Sequence, residues 1–315
     1  MRALAKGNRE DFARHTGVSM RTIRARFTSR RSGATGSRSG ACVRGALGVA
    51  SLMACSLSAP KAAAERAGRD AEPRLEERTA FTIGAQRLKL GLLAFEYGIV
   101  DRLSIGTDPP AWAARAVLPI FVPNVHAELI AIDSAPFVAS ARVGAYYADL
   151  KGGGDASGSL IAVPASLFAS LRLSSRWWLH GEAAYVWADA SGTGDLDNAD
   201  LNGAVATRVA QLGALLEWRL TRVVSLTALG RAEVYSGPLI FRGTTSPDDR
   251  TIIDIEAELS PRSSKPWQAV GGAAFTWEHV RLSFGLGYGN YFIPGAYFAM
   301  PSRGIVPDLS LAVVL

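Results

Sequence analysis

The chain has 315 residues and only two cysteines, Cys42 and Cys55, both near its N-terminus. Everything after residue 55 therefore lacks a disulfide framework, a cysteine zinc site and a thiol nucleophile. No apolar run reaches the ~18–20 residues that a helix needs to cross a bilayer, which excludes a helical membrane protein. Charged residues are also few: 20% of the chain, against 48% apolar residues, a balance outside the disordered range. Acids are scarce at one end only. Residues 1–64 hold twelve Lys/Arg and two Asp/Glu, while residues 65–315 hold 22 and 26. The net charge of +6 thus belongs to the N-terminal segment, and the remainder is mildly acidic, so no nucleic-acid partner is expected. The length suits one large domain.

Residues 20–44 are rich in Arg, Ser and Gly and contain no acid; a short apolar stretch, 45–59, follows, and then Ala62-Ala63-Ala64. A basic region, a short apolar core and small residues around Ala62 and Ala64 describe a secretory signal peptide over residues 1–64. Its basic part is long, and Met20 is a candidate alternative start. A second cleavage reading stands beside this one: Leu52-Met53-Ala54-Cys55 resembles a lipobox, which would put a lipid on Cys55.

What the rest has in abundance is alternation. In 207–220, Leu212, Ala214, Leu216, Trp218 and Leu220 oppose Gln211, Gly213, Glu217 and Arg219. In 280–291, Val280, Leu282, Phe284, Leu286 and Tyr288 oppose Arg281, Ser283, Gly285, Gly287 and Gly289. Period-two patterns of this kind are strands with one apolar face. Their ~10–13 residues exceed the usual strand of soluble sheets and suit a tilted bilayer crossing. Aromatics gather toward strand ends: Tyr97, Tyr146, Tyr147, Trp177, Trp178, Tyr185, Trp187, Trp218, Tyr235, Trp267, Trp277, Tyr288 and Tyr291. Tight turns at 174–176, 221–222 and 278–279 alternate with long Gly/Asp/Ser-rich stretches at 151–159, 190–206 and 236–251. Interfacial aromatics and short-versus-long connections are features of outer-membrane barrels, and in lipid a sheet must close to satisfy its backbone.

The expected fold is therefore all-β: an antiparallel transmembrane β-barrel of about twelve strands, within a range of ten to fourteen. Residues 65–84 form a periplasmic lead-in and 85–315 the barrel. The expected strands are 86–97, 102–107, 124–132, 137–150, 160–173, 177–189, 207–220, 223–235, 252–259, 267–277, 280–291 and 305–315. The rhythm fails around 252–259, which has the alternative of being a ribbon in an external loop; an extra strand near 78–83 would then restore an even number.

The chain ends PDLSLAVVL, with Leu309, Leu311, Val313 and Leu315 alternating with Ser310, Ala312 and Val314. This resembles the closing strand of Gram-negative outer-membrane barrel proteins, which commonly ends in an aromatic residue; Leu315 departs from that. The segment FEYGIVDRLSIGTDP, followed by VPNVHAEL, looks like the N-terminal hairpin of uncharacterised barrels in such bacteria. The resemblance implies an outer-membrane location, lipid as surroundings, and recognition of the last strand by the barrel-assembly machinery.

Inward-facing candidates are Lys89, Arg142, Arg172, His180, Glu182, Glu217, Arg219, Arg231, Glu233, Asp254, Glu256, Glu258 and Arg281. A polar lumen passes or binds small hydrophilic solutes; alternatively Arg and Glu neutralise each other and plug the barrel. Glu217, Arg219, Arg231 and Glu233 face one another on adjacent strands, and in a plugged barrel they form one neutralising cluster. Two H-x-E pairs, His126/Glu128 and His180/Glu182, each point to one side of a strand. They read as hydrogen-bonding pairs, not a metal site, and no cofactor is expected. His180 near a Ser is too little for a nucleophile–base pair, so no enzyme is expected. The leading functional reading is a porin-like passive channel or binding pore for small solutes. The alternatives are a structural or surface-interaction barrel and, last, a barrel enzyme.

Overall fold

A computed structural model describes residues 20–28, 79–112, 121–151, 157–196, 199–248, 251–259, 265–292 and 297–315. Its strands are β1 (Met20–Thr28), β2 (Leu88–Gly91), β3 (Phe95–Val100), β4 (Leu103–Thr107), β5 (Asn124–Ser134), β6 (Phe137–Lys151), β7 (Ser157–Arg172), β8 (Trp177–Leu196), β9 (Ala199–Arg219), β10 (Val224–Ser236), β11 (Leu239–Asp248), β12 (Thr251–Leu259), β13 (Trp267–Thr276), β14 (Val280–Phe292) and β15 (Ala299–Val314). Every pairing is antiparallel, and β8 meets β9 while β15 meets β2, so the sheet closes. The wall has twelve strands: β2 to β10, then β13, β14 and β15.

The total of twelve agrees with the sequence, but two of its members differ. The expected strand 86–97 is two strands, because the chain turns at Leu92–Leu93 and Gly91 N bonds Ala94 O at 3.0 Å. The expected strand 252–259 is not in the wall. As β12 it pairs with β11, which lies on the outer half of β9 beyond the β10 contact. The extra strand thus comes from the split of 86–97, not from 78–83. The segment 190–206, read as a loop, largely continues β8 and β9, which pair from Trp177↔Trp218 to Leu196↔Ala199. Asx- and Gly-rich composition suggests a turn, but paired backbone outside the membrane tolerates it. β1 falls in the stretch read as a signal peptide and pairs with β12, Arg24↔Glu256 and Arg26↔Asp254. Ala62, Ala64 and Cys55 lie outside the described residues.

Alternation sorts the side chains as amphipathic strands must. Leu167, Leu212, Leu226, Phe284, Leu286, Ile305, Leu309 and Leu311 are exposed on the outer face. Tyr97, Trp177 and Trp277 lie toward the short-turn end, where Trp177 stacks on Trp218 with centroids 5.2 Å apart; Tyr147, Tyr185, Tyr235, Trp267 and Tyr288 lie toward the long-loop end. Two of the expected girdle residues turn the other way: Tyr146 and Trp178 are buried in the lumen. An apolar belt between aromatic rims on a closed antiparallel sheet is the pattern that lipid selects.

Candidate functional site: the barrel lumen

Strand register determines which lumen charges meet. Next-but-one strands lie about 10 Å apart, so an Arg and a carboxylate reach each other only if the residue between them leaves room. Glu182 on β8 is opposite Gly213 on β9, and Gly213 is opposite Arg231 on β10. The missing side chain lets Arg231 Nη2 donate to Glu182 Oε2 at 2.6 Å across β9. A Cβ at Gly213 would sit 3.4 Å from that oxygen. The same device recurs on the other wall. Glu96 is opposite Gly106, and Gly106 is opposite His126. Glu96 Oε1 and His126 Nε2 are then 3.5 Å apart, and a Cβ at Gly106 would come within 2.6 Å of that nitrogen.

Around Glu96 gathers the largest charged group. Lys89 Nζ is 3.5 Å from Glu96 Oε2, and Arg142 Nη2 lies 2.9 Å from Glu96 and 2.7 Å from Glu128. Ser140 donates to Glu128 at 2.7 Å. His126 Nδ1 faces Asp108 Oδ2 at 3.4 Å, and Tyr146 donates to the same oxygen. Asp108 belongs to the connection after β4, which folds into the barrel. Burial raises its carboxyl pKa, but His126, Tyr146 and Arg142 outweigh burial and hold it below the ordinary 3.8.

A second group lies nearer the short turns. Ser170 Oγ and His180 Nδ1 are 2.8 Å apart, and His180 Nε2 is 3.9 Å from Glu217 Oε2. Glu217 also accepts from Ser225 at 2.8 Å and from Arg219 Nε at 3.2 Å. Ala80 N donates to Ser170 Oγ at 3.0 Å, which leaves the serine proton for the ring nitrogen. Arg172 and Arg219 flank Trp178, each 5.9 Å from its ring.

The expected cluster of Glu217, Arg219, Arg231 and Glu233 therefore does not form as one unit. Glu217 is in register with Thr227, four residues from Arg231, so Arg231 turns to Glu182 and Glu217 to Arg219. Glu233 is half-buried opposite Gln211. Arg142, His180, Glu182, Glu217, Arg231 and Arg281 face the interior; Arg281 donates to Thr276 at 2.9 Å. Arg172 lies exposed at the short-turn mouth. Asp254, Glu256 and Glu258 are on the β11–β12 ribbon, exposed and outside the lumen. Glu96, Asp108, Ser170 and Tyr297 are further lumen residues that alternation alone did not mark. Read as one strand, 86–97 puts Lys89 and Glu96 on opposite faces; the turn at Leu92–Leu93 resets the phase and brings both inside.

Three connections fill the lumen. Thr79 and Ala80 of the lead-in are buried at the short-turn mouth, and Phe81 stands edge-on to Trp178 with centroids 5.9 Å apart. At the long-loop end, Ala111 and Tyr297 pack with Tyr146, Ala162 and Val186. Tyr297 O accepts from Gln211, and its hydroxyl receives a bond from Ser166 at 2.9 Å. Thr227, Ser283, Asp308 and Ser310 are less covered and border a cavity of about 60 Å³. Among the described residues no group of three or more His, Cys, Asp or Glu side chains could hold a metal ion.

The closed sheet, its apolar belt and its aromatic rims define a Gram-negative outer-membrane β-barrel. No protein-family model and no curated protein matches the chain. Solved structures with a similar fold include the translocator domain of the autotransporter NalP from Neisseria meningitidis (TM-score 0.41, 11% identity, 86% of this chain and 95% of that one). They also include the toluene transporter TodX from Pseudomonas putida (0.40, 12%, 72% and 76%) and the ferric yersiniabactin uptake receptor FyuA from Yersinia pestis (0.36, 9%, 72% and 42%).

Proposed function

We propose that the protein is a gated outer-membrane conduit for small hydrophilic solutes, seen in its closed state. The observation that supports this is where the blocking groups sit. Phe81, Ala111 and Tyr297 belong to connections, not to wall strands, and pack against lumen-facing side chains. The wall behind them carries charged and polar side chains suited to a hydrated path. This reading includes no catalysis: Ser170, His180 and Glu217 pin the lead-in, and Ser170 is fully buried beneath Ala80. Liposome swelling with a panel of sugars and amino acids tests it. Phe81→Ala should speed swelling over wild type; equal, negligible swelling with every solute would contradict it.

A second reading is a surface-interaction barrel. It is favoured by β8–β9 and β11–β12, which project as long ribbons beyond the wall. Those ribbons would meet an external partner while the neutralised interior served only as scaffold. Binding that survives with no swelling would select it.

A further inference from the structure

The wall is not equally high all round. β2, β3 and β4 have four, six and five residues, against twenty and twenty-one in β8 and β9. β15 pairs with β2 only over Ala312–Val314, and the last bond is Leu92 N to Leu311 O at 2.9 Å. Among the described residues, nothing pairs with β15 on that side from Ile305 to Ser310, about 20 Å of strand at ~3.3 Å per residue. This stretch lies at membrane depth up to the rim, because Leu309 and Ile305 are exposed and in register with Phe284 of the apolar belt and Tyr288 of the aromatic rim.

The sequence suits an edge with no strand beside it among the described residues. Leu311 O points toward β2, and residues two apart on an antiparallel strand turn their backbone groups the same way. Pro307 therefore faces the notch, where its missing N–H leaves no donor unpaired, and strand prolines belong on such edges. Irregular backbone edges at this depth persist only against protein or water. The lumen behind is correspondingly the less covered side, bordered by Asp308, Ser310, Thr227 and Ser283 beside Leu93 and Leu229.

A short strap crosses the low wall. Asp108 N bonds Asn124 Oδ1 at 2.6 Å, Ala111 is buried inside, and Trp112 stacks edge-on to Phe95 at 5.7 Å. Phe95 is on the outer face, since Glu96 beside it points in. Within five residues the chain steps from lumen to lipid side.

We propose that this notch is a lateral doorway between lumen and bilayer, strapped by Asp108–Trp112, and that it passes a single-chain amphiphile. The apolar chain leaves through the notch at membrane depth while the anionic head stays against Arg281, Ser310 and Thr227, which line the same cavity. The doorway does not depend on the solute reading: sugar swelling can fail while lipid entry stands, and the reverse.

The test uses the full chain in liposomes with palmitic acid bearing a diazirine, a probe that partitions into the bilayer, and maps the labelled residues. Folding is checked by heat-dependent gel mobility. Trp112→Ala should raise labelling of lumen-facing Val306 relative to lipid-facing Leu212 by about fivefold, the population shift that loss of one aromatic pair supplies. A disulfide between Phe95→Cys and Trp112→Cys, in a chain with Cys42→Ser and Cys55→Ser, should suppress that labelling until reduced. Labels confined to the lipid face in wild type and Trp112→Ala alike would overturn the doorway. So would lumen labelling that neither the alanine nor the disulfide alters.

Discussion

At the scale of residues, the lumen is organised by glycines that let charges meet across an intervening strand. Arg231 and Glu182 are both buried, and their contact depends on Gly213 between them. Arg231→Ala should cost about 3–5 kcal/mol, because Glu182 keeps its charge in a dry place and loses the guanidinium that neutralises it. Gly213→Leu should act in the same direction by separating the pair. Replacing both charges, Arg231→Met with Glu182→Leu, should restore most of the loss, since an apolar pair of similar volume needs no partner. Urea unfolding followed by gel mobility reads all three; a double variant no better than Arg231→Ala would mean the pair is not what matters. The sequence showed that Arg231, Glu182 and Glu217 face inward, because alternation is a local property. It could not show that Arg231 meets Glu182, because partner choice depends on register, and register is a relation between strands.

At the scale of elements, the misread segment 86–97 carries the same lesson. Gly91-Leu92-Leu93 has no Pro, Asn or Asp to announce a turn, and its two leucines continue the apolar pattern while Leu93 turns to the lumen cavity. The strap after β4 has a testable acid dependence. Asp108 is held below its ordinary 3.8, so its contribution is complete above that value and is lost as pH falls through the lower folded value. The emission of Trp112, read as the difference between the protein and its Trp112→Phe variant, should thus change as pH falls below 3.8. Asp108→Asn should remove that acid step; an unchanged step would assign it to another group. The projecting β8–β9 hairpin makes a prediction of sidedness. A tag inserted at 197–198 should be reached on intact cells, and one at 174–176 should not; the opposite labelling would invert the barrel.

At the scale of the whole molecule, closure of the sheet, the belt and the rims were all legible in the sequence, since each follows from alternation and from what lipid forbids. The state of the lumen was not. Whether a barrel of this size is open depends on where its connections go, and nothing local in Phe81, Ala111 or Tyr297 says that they fold inward. On the proposed reading, the barrel is closed by its connections and opens when they leave. Planar-bilayer recording of wild type and of Phe81→Ala with Tyr297→Ala, each checked for heat-dependent mobility, tests this most directly. Wild type should be silent or open only briefly, and the double variant should show sustained steps of conductance. A wild type that is steadily open, or a folded double variant as silent as wild type, would contradict it.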